Sequence, residues 1–298
     1  MNYHENLPDR LVRLNIENIL CNDIECWNFH KKHKKLYNKL WLAEIQNIEC
    51  GPIGTIPNNF PIIVKPIINL YGMSRSFKIC NNLHEYLNYQ KDGCFWTPYF
   101  KGDNYNYDII FDKGKILTYY TLISKPAING TFSFHKYSPN EKLSTDIIKL
   151  LEMYFDKYSG PMNIEVIDNN IIEGHLRLNG DCYIYNDDFL YNLSKLINQE
   201  IYNLNVNDSV IYLFPFFVNS NFNLKFLDKE EIEDILLKNK CDLINWDNIK
   251  SNYQRSDLCR LCMYITNNYE SGIKIRNEIT QNLILREKIY PYISSELH

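Results

Sequence analysis

A chain of 298 residues, 45% hydrophobic and 23% charged, is long enough for a substantial core and is composed like a folded protein, which excludes a disordered polypeptide. Its formal charge of -4 excludes a general attraction to nucleic acid, and the one basic run, His30-Lys31-Lys32-His33-Lys34-Lys35, reads as a solvated helix face. Nine cysteines, scattered and odd in number, with no signal peptide, fit reduced thiols in a cytoplasmic compartment. No apolar run reaches the about 18 residues that a membrane helix needs.

Residues 1–36 read as helical, with Leu11, Leu14, Ile16, Ile19 and Leu20 on an irregular apolar face. Residues 39–48 predict an amphipathic helix that Gly51-Pro52-Ile53-Gly54 ends. Residues 60–66 predict a buried strand that delivers Lys65 at its end, followed by a loop over 69–76. That loop reads either as a plain turn or as a nest of N–H groups able to close over phosphates. It contains no GxxxxGK[ST] pattern.

A strand over 77–80, a helix over 83–89 and a strand over 94–100 come next. Phe95, Trp96, Tyr99 and Phe100 make the last of these aromatic, and Pro98, which cannot donate to a ladder, takes it to an edge or out of the sheet. It reads as core or as a connector able to stack a purine. Residues 105–111 and 115–123 predict a hairpin about Asp112-Lys113-Gly114, in which Asp108 needs a partner if buried. A helix over 143–157 stops at Ser159-Gly160-Pro161. Beyond residue 181 the pattern predicts helices over 188–202, 229–239, 257–269 and 274–289 and a strand over 210–218. Cys259-Arg260-Leu261-Cys262, in a helical pattern and without a second pair, reads as core thiols rather than a zinc site.

Residues 161–181 carry the densest chemistry. They read as two strands about the turn Asp168-Asn169-Asn170, and a three-residue loop sets Ile167 against Ile171 and Glu165 against Glu173. Like charges about 4.5–5.5 Å apart at Cβ repel and call for a cation between them. Period-2 geometry puts Glu173, His175, Arg177 and Asn179 on one face, with Ile172, Leu176 and Leu178 on the other. The oxygen ligands suit Mg²⁺, His175 less so. A solvated polar strand face is the alternative.

The order of these features resembles the ATP-grasp superfamily over residues 38–181: a strand ending Val64-Lys65-Pro66, a Gly/Ser loop, a connector ending in Gly102, and a hairpin with acids on both arms. The resemblance implies an α+β fold in which two lobes clamp ATP, with a mainly helical C-terminal extension. It divides the chain into a short helical segment (1–36), an N-terminal lobe (37–96), a C-terminal lobe with the metal hairpin (97–219) and a helical extension (220–298). By the resemblance, Lys65 and Lys39 hold the phosphates; Gly72, Met73 and Ser74 form the covering loop; Thr97, Pro98 and Tyr99 line the adenine slot. Glu165 and Glu173 carry Mg²⁺, with His175 standing where the family has asparagine and Asn179 one step further on the same face. Arg177 meets the transferring phosphate or the carboxylate substrate, and His175 is the next candidate for catalysis.

The family's usual preceding domain is not found ahead of Lys65, so an acceptor site would come from the tail, where Arg255, Arg260 and Arg276 are candidates, or from a partner or oligomer. The implied reaction is ADP-forming ligation of a small-molecule carboxylate to an amine or similar acceptor, with no nucleic acid or membrane involved. A small-molecule kinase of the same fold and a catalytically silent nucleotide-binding or structural protein remain open. A nucleic-acid ligase would need a KxDG-type motif that Lys113-Gly114 does not provide.

Overall fold

The computed structural model describes residues 5–71, 77–127, 131–181, 184–205, 209–219, 229–246 and 258–287. The chain opens with α1 (Leu7–Arg13), α2 (Asp23–Phe29), a 3-10 turn (Lys34–Tyr37) and α3 (Lys39–Ile45). Next come β1 (Gly51–Pro52), β2 (Ile62–Pro66), β3 (Lys78–Cys80), α4 (Leu83–Leu87) and β4 (Cys94–Pro98). The long pair β5 (Asn104–Asp112) and β6 (Lys115–Pro126) leads to β7 (Phe132–Tyr137), α5 (Thr145–Tyr154), β8 (Gly160–Ile167) and β9 (Asn170–His175). The rest is α6 (Asp187–Ile197), β10 (Ile211–Asn219), α7 (Lys229–Lys238), β11 (Asp242–Trp246), β12 (Leu258–Thr266) and α8 (Tyr269–Glu287). The protein is α+β.

Asparagine sets several helix starts. Asn22, Asn38, Asn82 and Asn186 each accept a first-turn N–H at 2.8–2.9 Å, opening α2, α3, α4 and α6, which satisfies a donor that a helix leaves orphaned at its N-terminus.

The chain divides into two compact units. One comprises Leu7–Pro126 and Ser138–Asp208. It holds a sheet in the order β1-β4-β2-β3 and a run of antiparallel strands in the order β6-β5-β8-β9. Its largest core packs Leu36, Leu42, Ile109, Phe111, Leu151, Phe155, Met162 and Ile164 between that run and the helices α3 and α5. Gly174 admits this packing, because a Cβ there would come within 2.6 Å of the Leu36 side chain. The other unit comprises Met1–Asn6, Ala127–Tyr137 and Ser209–His298, with strands ordered β11-β12-β10-β7 and a core of Phe214, Leu261, Tyr264, Ile275 and Ile279 beneath α7 and α8.

Four expectations change. Residues 257–269 hold a strand, β12, rather than a helix; its run from Arg260 to Tyr264 is buried throughout, and periodicity alone does not separate such a run from a buried helix. Cys262 is accordingly a strand residue opposite Phe216 and Trp246. The basic run is only partly solvated: Lys34 lies over Trp27 at 4.7 Å, Lys35 over Trp41 at 5.1 Å, and the His30 and His33 rings pack on Tyr158. Of residues 5–36, read as helical, α1, α2 and the start of the 3-10 turn are helical, and residues 14–22 are not. The fourth change concerns the 161–181 hairpin.

Candidate functional site

The β8–β9 turn has two residues, Asp168 and Asn169, both at positive φ (51° and 61°), the backbone that suits the right-handed twist of a tight hairpin. Ile167 therefore faces Asn170 and Val166 faces Ile171, one residue away from the three-residue-loop register. A bulge between Glu165 and Val166 restores the difference, and Glu165 lies opposite Glu173 as the sequence predicts. Ile172 is the extra residue of the bulge. Its carbonyl accepts the Lys65 ammonium at 3.0 Å, and the Gln46 amide brackets the neighbouring Ile171, donating to its carbonyl at 2.9 Å and accepting its N–H at 2.7 Å. Side chains thereby cover the edge of β9.

Across β5, β8 and β9 the register lines up two polar rows, Asn106–Glu165–Glu173 and Asp108–Asn163–His175. Asp108, almost fully buried, finds the partners it needs: Tyr185 Oη at 2.7 Å, Asn163 Nδ2 at 2.9 Å and the Asn179 N–H at 2.8 Å all donate to it. Burial, partly offset by these donors, raises its carboxyl to about 6.

The acids behave differently from each other. Glu165 accepts from Asn104 Nδ2 at 3.0 Å, and burial together with Glu173 holds its carboxyl above the usual range. Glu173 would also be raised by burial, but Lys39, whose Nζ lies 2.7 Å from Oε1, holds it below that range. Lys39 is itself buried at the first position of α3. Part of the cationic charge that the paired acids call for is thus supplied by the chain. Lys65 stands beside them, and burial with the neighbouring Lys39, against the pull of Glu173 and Glu165, lowers its ammonium to about 8.

Beyond Glu173 lies a second network. Asp23, on α2 and buried, accepts through Oδ1 from His175 Nδ1 at 3.1 Å, Arg177 Nε at 2.8 Å and Tyr37 Oη at 3.2 Å, and through Oδ2 from Arg177 Nη2 at 2.9 Å. Burial would raise its carboxyl, but His175 and Arg177 hold it far below the usual range. The Arg177 guanidinium is engaged with Asp23 and with the Leu178 carbonyl and not with an open face, because β9 ends at His175 and the chain turns. Asn179 also lies beyond the strand, where its Oδ1 accepts the Asp181 N–H at 3.0 Å.

Lys39, Lys65, Glu165, Glu173 and His175 are therefore brought together. One ligand atom from each of Glu165, Glu173 and His175 lies within 4.8 Å of the other two. Thr97 and Pro98 close β4 and Tyr99 follows it; Phe95 pairs with Lys65 and Thr97 with Ile63, so the connector starts roughly 7 Å along the ladder from the lysine. The Tyr99 N–H is donated to the Pro61 carbonyl at 3.0 Å and Pro98 has none, which leaves a purine few backbone donors here. Gly72, Met73 and Ser74 lie outside the described residues.

Asp23, Tyr37 and Asn104 went unread in the sequence. Asp23 follows its helix cap Asn22 and looks like any first-turn acid, whereas the alternation Asn104, Asn106, Asp108 is a polar strand face that points to Glu165.

Several solved structures share this architecture. Carboxyaminoimidazole ribonucleotide synthase from Aspergillus clavatus, solved with ATP, matches with a TM-score of 0.60 at 12% identity over 85% of this chain and 74% of that one. The chain has the ATP-grasp fold. An L-amino acid ligase from Bacillus licheniformis matches with a TM-score of 0.59 at 11% identity, over 91% and 76% of the two chains. A phosphoribosylamine–glycine ligase from Thermotoga maritima gives 0.56 at 11%, over 95% and 87%. No protein-family model and no curated protein sequence matches the chain. Among the described residues no helix is long and apolar enough to cross a membrane.

Two carboxylates and an imidazole suit a divalent ion, although the nitrogen departs from the all-oxygen set that Mg²⁺ prefers.

Proposed function

We propose that the chain is an ATP-dependent, ADP-forming ligase that joins a small-molecule carboxylate to an amine or a similar nucleophile. The observation that supports it is the convergence of Lys39, Lys65, Glu165 and Glu173 from α3, β2, β8 and β9 on one group within an ATP-grasp fold. In this reading Lys39 and Lys65 neutralise nucleotide phosphates, Gly72, Met73 and Ser74 cover them, and Thr97, Pro98 and Tyr99 line the adenine slot. Glu165 and Glu173, with His175 and Asn179 as further candidates, hold a divalent ion, nominally Mg²⁺. When bound, such an ion offsets charge on the phosphoryl oxygens.

The carboxylate oxygen attacks the γ-phosphorus, ADP leaves, and the amine displaces phosphate from the acyl phosphate. Little covalent help is required of the protein, since positioning and charge neutralisation supply most of the acceleration. Arg177, engaged by Asp23, takes a positioning role here rather than a phosphate contact. The acceptor site belongs to residues after Asp181, or to a partner or oligomer. The enzyme is assigned to the cytoplasm, with no nucleic-acid or membrane partner.

A second reading, a silent nucleotide-binding or structural protein, draws on the Lys39–Glu173 ion pair at 2.7 Å, which already neutralises one acid. Melting curves with Mg·ATP, followed by a screen of amino acids and metabolites for stimulated ADP release, separate the two. The ligase reading expects a rise in melting temperature, worth about 2.7 kcal/mol at a hundred times Kd, and ADP release with at least one acid. A melting shift without any release favours a silent nucleotide-binding protein, and no shift at all favours the structural one.

A further inference from the structure

His175 offers a feature that neither lysines nor paired acids explain. Its ring is buried, 5% exposed, and Asp23 fixes it through Nδ1 at 3.1 Å. A carboxylate held ionised by Arg177 can only accept, so Nδ1 carries the hydrogen. In the neutral ring, Nε2 is then the bare nitrogen. It points at Glu173 Oε1, 3.6 Å away, too far for a hydrogen bond. Among the described residues no donor reaches it. A lone pair aimed at a carboxylate oxygen across that gap leaves room for a cation between them.

The same ring is turned edge-on to Tyr37, with centroids 6.0 Å apart. Tyr37 in turn donates to Asp23 and accepts the Leu176 N–H at 3.2 Å. Ring plane, tautomer and direction are thus set by groups on α2, on the 3-10 turn and on the chain just past β9. A carboxylate behind one imidazole nitrogen with the other nitrogen facing acids is the arrangement that orients histidine toward metals.

We infer that Asp23 positions His175 as a nitrogen ligand, so that the Glu165–Glu173–His175 group takes a first-row transition ion such as Mn²⁺ in preference to Mg²⁺. The inference rests on the metal-binding reading of the site and adds its ion selectivity and a positioning residue. The chemistry is direct: Mg²⁺ favours an all-oxygen octahedron and gives up water reluctantly, whereas imidazole nitrogen is a normal donor to transition ions, with affinity rising along the first row.

The test uses the full chain and the metal alone. Mn²⁺ is titrated without nucleotide, followed by electron paramagnetic resonance, and the bound ion is examined by pulsed methods for coupling to ¹⁴N. The expected result is a directly bound nitrogen in the wild type, lost in His175→Asn while Mn²⁺ still binds through oxygen. Asp23→Asn is expected to weaken Mn²⁺ about ten- to a hundredfold. A role limited to holding the fold would lower that variant's melting temperature without moving the affinity of the folded protein, and would overturn the positioning claim.

No nitrogen coupling in the wild type, coupling that survives His175→Asn, or displacement of Mn²⁺ by an equal concentration of Mg²⁺ would each overturn the assignment. The ligase reading fails separately. A melting shift with Mg·ATP but no nitrogen coupling removes this inference alone, and nitrogen coupling with no response to ATP removes the ligase alone.

Discussion

Two charged groups meet on β9, and they are built differently. Around Asp23 the network is closed: four donors from Tyr37, His175 and Arg177 saturate one carboxylate. Around Glu165 and Glu173 the group is open. Glu173 is ion-paired to Lys39, Glu165 accepts from Asn104, and Lys65 rests on a backbone carbonyl exposed by a bulge. A closed network fixes geometry, and breaking it leaves an uncompensated buried charge. An open one has charge to offer a ligand.

The contrast fails if the two groups respond alike to substitution. Asp23→Ala strands Arg177 and is expected to cost about 3–5 kcal/mol of stability, read as a loss in chemical denaturation. A cost below 1 kcal/mol would make the network ornamental. Glu173→Gln is expected to leave the fold intact while lowering ATP turnover about 10²–10³-fold, the scale of removing one preorganised electrostatic group. Turnover at the wild-type rate would take the hairpin out of the mechanism. Lys65→Ala should weaken nucleotide binding by about 1.5–3 kcal/mol, the scale of a hydrogen bond to a charged group, and equal affinity in the variant would reassign the lysine.

Lys65 also sharpens the contrast through pH. Its ammonium titrates near 8 in the folded chain, below the roughly 10.4 of an unfolded lysine. The folded state is therefore penalised for holding the charge below about pH 8. That penalty fades, and stability rises, as pH climbs toward the unfolded value. Nucleotide affinity runs the other way and falls above about pH 8 as the positive charge is lost. Lys65→Arg, which stays charged, should flatten the affinity profile, and an unchanged profile would assign the titration to another group. The smallest effect concerns the hairpin itself. Asn169, at φ 61°, replaced by glycine should stabilise by a few tenths of a kcal/mol and leave both charged groups unaltered.

How legible all this was depended on whether the signal was local. The Lys65 strand, the long 104–126 hairpin and α5 follow from periodicity and turn residues close in sequence. The Glu165–Glu173 pairing was readable although the loop length was not, because Asp and Asn both tolerate positive φ and a bulge absorbed the one-residue difference. Asp23 was hidden, since it is 152 positions from His175 and its neighbours look like an ordinary helix start. Arg177 was read as a phosphate or carboxylate contact because a strand continued past His175 would have turned it to the open face. β12 was misread because a run buried on both sides has no periodicity to reveal its type.

Isothermal titration of ATP into the full chain tests the central claim most directly, run with and without a divalent ion and repeated on Glu173→Gln. The account predicts binding that strengthens with the ion in the wild type and loses that ion dependence in the variant. Binding that is indifferent to the ion, or an ion dependence that persists without the Glu173 carboxylate, would contradict it.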